Sequence, residues 1–92
     1  MYGRALVESG SDASGRRLLL YGDLDLASAR ALDSELLAAM TAGGSPLMVD
    51  LSGLSEVDRP ALRVLLRRQR AALAGGVRLL IRLTPGQAAR LA

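Results

Sequence analysis

The stretch Val49–Leu66, "VDLSGLSEVDRPALRVLL", decides how the rest of the chain is read. It opens on apolar residues that suit a buried strand and passes through a polar segment. It then enters a helix whose first turn is Asp58-Arg59-Pro60-Ala61. A loop leading from a strand into a helix N-terminus is a natural place for chemistry, because the unpaired N–H groups there attract anions. Proline fits that first turn, where its missing N–H would have had no intrahelical partner.

Working outward, Pro46 precedes "LMVDL" (47–51), an apolar strand, and the helix is expected over Arg59–Ala74, stopped by Gly75-Gly76. Upstream, Arg4–Glu8 and Arg17–Tyr21 are β-prone runs on either side of the turn-forming cluster "SGSDASG" (9–15). Together they predict an antiparallel hairpin with a loose loop. The segment "GDLDLASARALDSELLAAMTAGG" (22–44) reads as a polar turn followed by an amphipathic helix. Ser28 is its expected N-cap, Leu32, Leu36, Ala39 and Met40 share one face, and Gly43-Gly44 stop it. Downstream, "VRLLIRL" (77–83) is a further buried strand, and Pro85 opens a short helix through Leu91. The order β-β-α-β-α-β-α predicts an α/β fold: a mixed sheet of about four strands, the first antiparallel, with helices packed mainly on one face. The 92 residues are expected to make one domain, 1–92.

Composition narrows the chemistry. There is no cysteine and no histidine, which removes disulfides, thiolate nucleophiles, the commonest general base and the commonest metal ligands. The expectation is therefore a non-enzyme with neither metal nor cofactor. Half the residues are hydrophobic and only two are aromatic, so the core must be aliphatic. The net charge is +3, and all 12 basic residues are arginine, a bias that codon usage alone can produce. No apolar run reaches the 18 or so residues a membrane span needs, and the N-terminus lacks the apolar centre of a signal peptide. A cytoplasmic protein without direct membrane insertion is the expectation.

Two segments carry function candidates: Gly22–Ala29 and Val49–Asp58, each ending at a helix start. If their strands are parallel neighbours, both lie at the C-terminal edge of the sheet, where α/β folds build sites. Asp25 and Asp58 then come close together. The plainer reading has Asp58 as an N-cap and Asp25 as a turn residue. On the helix that follows, Ala61, Leu62, Leu65, Gln69 and Ala72 face the core. Arg59, Arg63, Arg67 and Arg70 fall within an arc of about 80° on the opposite side. Arginines with no acid among them form either a contact surface for an acidic partner or a solvated face in an Arg-biased protein. No aromatic residues interleave with them, so nucleic acid is not the expected partner.

At these residues the chain resembles a known family. "GDLDLASA" and "DLSGLSEVD" followed by Leu62 look like the paired motifs of the STAS domain of bacterial anti-sigma factor antagonists, over roughly Leu18–Leu91. The resemblance implies a regulatory protein that binds an anti-sigma factor, a serine-kinase-like ATPase. In the family that kinase phosphorylates a hydroxyl residue two positions after the loop aspartate, and the added charge breaks the interface. Here Asp50, Leu51, Ser52, Gly53, Asp58 and Leu62 match, whereas Arg59, Pro60 and Ala61 replace the usual Ser, phospho-acceptor and Gly. Pro60 has no hydroxyl, so the acceptor position is degenerate. Ser52 and Ser55 are the remaining loop hydroxyls, and ordinary turn roles account for them.

The resemblance thus implies partner binding through Asp25, Ser55, Asp58, Arg59, Pro60, Arg63, Arg67 and Arg70, without the phosphorylation switch. The alternative it allows is a structural or regulatory subunit of a transporter ATPase, or of an oligomeric scaffold. Related domains continue past "PGQAARL" for another strand and helix. Val77–Leu83 is therefore expected at a sheet edge with apolar surface uncovered, pointing to homodimerisation or obligate partner binding.

Overall fold

The structure is a computed structural model that describes residues 6–12, 15–42 and 46–90. Its elements are β1 (Leu6–Asp12), β2 (Gly15–Leu24), α1 (Leu26–Thr41), β3 (Leu47–Val57), α2 (Arg59–Ala74), β4 (Leu79–Arg82) and α3 (Pro85–Ala89). The sheet order is β1-β2-β3-β4, with β1–β2 antiparallel and the other two pairings parallel. This is the α/β arrangement expected from the sequence, with β4 at an edge.

The two crossovers, β2-α1-β3 and β3-α2-β4, step in the same direction across the sheet. A common hand then sets α1 and α2 side by side on one face, and the two helices do pack together. Between them and the sheet lies the aliphatic core. The sheet contributes Leu20, Leu24, Leu47, Val49, Leu51, Leu54, Val57 and Leu79, and the helices contribute Ala29, Leu32, Leu36, Ala61, Leu62, Leu65 and Ala72. On the other face of the sheet, Tyr21 and Leu80 are exposed. Among the described residues no helix is long and apolar enough to cross a membrane.

Several boundaries differ from the sequence reading. The first strand is Leu6–Asp12 rather than Arg4–Glu8, and Arg4 lies outside the described residues. The small polar residues of "SGSD" join the ladder because an edge strand needs backbone pairing more than side-chain burial, and pairing runs to Asp12 opposite Gly15. The remaining connection, Ala13-Ser14, lies outside the described residues, as does the expected Gly43-Gly44 stop. Gly15 has φ +136°, and a Cβ there would sit 2.6 Å from the Pro46 carbonyl oxygen, so this position requires glycine. The last strand and helix are shorter than expected, at Leu79–Arg82 and Pro85–Ala89.

The largest difference concerns the polar segments. Gly22-Asp23-Leu24 is strand, and so is the whole of Ser52–Val57. From the Leu19–Asp50 pair to the Leu24–Val57 pair, β2 advances five residues while β3 advances seven. The two extra residues of β3 are absorbed in two bulges, one between the Leu19 and Tyr21 pairings and one between those of Gly22 and Asp23. Each bulge shifts the alternation by one, so the buried residues run Val49, Leu51, Leu54, Val57. That spacing of two, three and three does not read as a strand, because a regular strand repeats every two. At the first bulge the backbones close up: a Cβ on Gly53 would lie 2.7 Å from the Leu20 carbonyl oxygen and 2.8 Å from the Tyr21 ring. The Gly53→Ala substitution is expected to destabilise the fold by about 1–3 kcal/mol, the usual range for overpacking, measured by urea denaturation. A neutral result would mean the bulge is not held in this shape.

Candidate functional site

Backbone pairing brings the two candidate loops together. Leu24 pairs with Val57, and the Asp58 amide donates to the Leu24 carbonyl at 3.1 Å, so α1 and α2 start side by side at the C-terminal edge of the sheet. Both aspartates stand at N-cap positions, Asp58 as the plain sequence reading has it and Asp25 in place of a turn role. Asp25 is the N-cap of α1: its Oδ1 accepts from the Ser28 amide and hydroxyl, both at 2.8 Å, while its own amide donates to Ser28 Oγ at 3.0 Å. Ser28, expected as the cap, is instead the third helical residue and closes a reciprocal capping box. The Ser28 N–H, followed by its hydroxyl, holds the Asp25 carboxyl below the usual carboxylate range.

Asp58 occupies the N-cap position of α2, yet its side chain makes no capping bond. Of the two N–H groups a cap carboxylate can bond, Pro60 lacks one and that of Ala61 is not taken, so Asp58 stays exposed at the head of α2. Among the described residues no group of three or more metal-ligating side chains converges.

The remaining predicted residues lie around this corner. Arg59 and Pro60 are exposed at the start of α2, and Arg63, Arg67 and Arg70 are exposed along it. The last three, with Leu66, line a shallow surface groove of about 410 Å³. None of the three forms a salt bridge among the described residues. The neighbouring Arg68 turns the other way and grips Asp33 of α1 with two bonds, of 2.7 and 2.9 Å. Hydrogen bonding to Arg68, against a smaller cost of burial, lowers the Asp33 carboxyl. Ser55 is exposed on β3 and lines a second cavity, of about 220 Å³, with Leu54, Val57, Thr84, Gly86, Gln87 and Arg90.

Three residues outside the predicted set shape the corner. Asp50 is 8% exposed, and its Oδ1 accepts from the Ser52 amide at 2.9 Å and the Ser52 hydroxyl at 2.6 Å, pinning the first bulge. Burial pushes this carboxyl up, but the Ser52 bonds and the charges of Arg82 and Arg17 outweigh it, and it ends below its ordinary value. Ser52 is thus a structural serine. Beyond Arg82, β4 no longer covers β3, and α3 takes over. The buried Gln87 amide donates to the Leu51 carbonyl at 2.8 Å, and Arg90 donates to the Val57 carbonyl at 2.9 Å. Gln87 is set in place by its capping box with Thr84. A Thr-Pro-Gly-Gln string is the sequence signal for that cap, but nothing in it reveals the distant carbonyl.

A protein-family model described as "Mlab, STAS domain" matches residues 8–92. Among solved structures, the anti-sigma factor antagonist SpoIIAA in its unphosphorylated form is similar at 18% identity and TM-score 0.69, over 92% of this chain and 78% of that one. A serine-to-glutamate variant of RsbS from Moorella thermoacetica is 26% identical with TM-score 0.68, over 92% and 74%. Mglu is similar at 19% identity and TM-score 0.70, over 85% of this chain, which spans only 19% of Mglu's length. No curated protein matches.

The depressed carboxyls set the acid limit of the fold. Asp25, Asp33 and Asp50 all have folded values below the unfolded value of about 3.9. Their contribution is complete above that unfolded value and is lost as pH falls through the lower folded ones. The urea midpoint is expected to be flat from about pH 7 to 5 and to fall below about pH 4. In Asp50→Asn that fall becomes shallower, and a wild-type midpoint unchanged at pH 3 would contradict this account.

Proposed function

The chain belongs to the STAS domain family, and from that premise we propose that it is a non-catalytic protein-binding module of the cytoplasm, of the anti-sigma factor antagonist type. It works without a phosphorylation switch at the head of α2. The observation that carries this reading is the corner itself. Pro60 stands at the expected acceptor position, the Asp58 carboxylate is uncommitted, and the exposed arginines of α2 run directly from it. Phosphorylation switches an interface by adding about two negative charges to a hydroxyl. At position 60 there is no hydroxyl, and Ser52 is bound to Asp50, which leaves only Ser55 open. The binding surface on this reading comprises Asp25 and Ser55 at the sheet edge, Asp58, Arg59 and Pro60 at the helix head, and Arg63, Arg67 and Arg70 along it. Its partner is a serine-kinase-like ATPase with a complementary acidic surface.

A second reading, a subunit of a transporter ATPase or of an oligomeric scaffold, is favoured by the same Pro60, since such a subunit needs no phosphorylation switch there. Co-purification of the tagged protein from its own cells, with mass spectrometry, distinguishes the two by the class of ATPase recovered. On the first reading a sigma-regulatory ATPase co-purifies, Arg63→Glu with Arg67→Glu lowers its recovery at least tenfold, and no phosphate is found between Asp50 and Leu62. A stoichiometric phosphoserine at Ser52 or Ser55 would overturn the unswitched reading. Recovery of a transporter ATPase would replace the first reading with the second.

A further inference from the structure

The two helices that cover the sheet have different outer surfaces. On α1, Arg30 stands among Asp33, Glu35 and the polar Ser34 and Thr41, an ordinary mixed surface. The α2 sequence holds five arginines and no acid, and Arg68 turns inward to an ion pair with Asp33. Composition bias alone would have spread arginines evenly. The arrangement on α2 is also periodic. Arg63 and Arg70 are seven residues apart, as are Leu66 and Leu73, which puts each pair about 10.5 Å apart along the axis on nearly one line. Leu73 is 73% exposed, more than any other large hydrophobic side chain among the described residues. Leu66 is half-buried in the groove between Arg63, Arg67 and Arg70.

The strip lies on the flank of α2 turned away from α1. Arg68 and Val64 face α1, whereas Gln69, on the Leu66–Leu73 side, donates to the Leu79 carbonyl of β4 at 3.1 Å. A row of apolar side chains two turns apart, rimmed by unpaired cations, matches one kind of ligand: a helix with apolar residues at i and i+7 and carboxylates beside them. Plain polyanions leave Leu66 and Leu73 without a role.

We propose that the Arg63–Leu73 flank of α2 is a groove for an acidic amphipathic helix of the partner protein. The helix lays its apolar residues on Leu66 and Leu73 and its carboxylates on Arg63, Arg67 and Arg70. This rests on the docking reading above and specifies the chemistry of the partner at that surface.

The test is site-specific photo-crosslinking in the protein's own cells, with a benzophenone amino acid placed singly at Leu73, at Ser55 and at Leu80. Leu73 probes the groove, Ser55 the helix-head corner and Leu80 the helix-free sheet face. The expected result is a protein adduct from Leu73 whose cross-linked peptide, sequenced by mass spectrometry, carries Asp or Glu beside apolar residues at heptad spacing. With the probe retained at Leu73, Arg70→Glu or Leu66→Ser lowers the adduct at least tenfold while the circular dichroism melt of the variant stays unchanged. An adduct at Ser55 but not at Leu73 overturns the groove and leaves the docking module standing. Adducts at neither position overturn both. Adducts only at Leu80, a nucleic-acid adduct at Leu73, or a non-acidic cross-linked peptide also overturn the groove.

Discussion

The arrangement depends on one local constraint, the hold of Asp50 on Ser52. A single carboxylate oxygen takes both the amide and the hydroxyl of the residue two positions on, and in doing so it fixes where β3 leaves the regular ladder. Removing this acceptor forfeits two hydrogen bonds to a charged group, a type of bond that contributes about 1.5–3 kcal/mol. The larger effect is geometric. A strand that missed its bulge would turn Leu54 and Val57 away from the helices, since a slip of one residue exchanges the two faces of a strand. With both bulges in place, those residues stay in the core, and the chain reaches the head of α2 beside the head of α1.

From there the difference between the two helix starts follows residue by residue. Asp25 precedes a helix whose early N–H groups are all available, and its carboxylate is spent on capping. Asp58 holds the same position before α2, but Pro60 removes one of the two donors a cap can use and the other is not taken. The head of α2 thus carries a proline without a hydroxyl and a carboxylate that makes no cap, next to a row of arginines.

Much of this was legible in the sequence. The element order, the mixed sheet, α2 to the residue and its burial pattern all came from apolar periodicity and from Gly75-Gly76. The resemblance to the STAS family rested on the same motifs that build the bulges. The bulged half of β3 was not legible, because apolar residues at 51, 54 and 57 have the period of neither a strand nor a helix. Polar residues between them imitate a loop. The α1 cap was placed at Ser28 instead of Asp25 for a similar reason: candidate cap residues stand at positions 25 and 28, and only the backbone angles, extended at Asp25, choose between them. Gln87 and Arg90 were overlooked because their partners are backbone carbonyls, which a sequence does not display.

Those last contacts also order events in time. The Leu51 and Val57 carbonyls, 36 and 33 residues upstream, accept from Gln87 and Arg90. On a ribosome adding about 5–20 residues per second, β2, α1 and the first half of β3 are already available to pack while these two residues are still unmade. The corner where both helices begin is therefore sealed late in synthesis. A nascent chain gains these two contacts only once α3 has emerged, and a chain interrupted before that point lacks them.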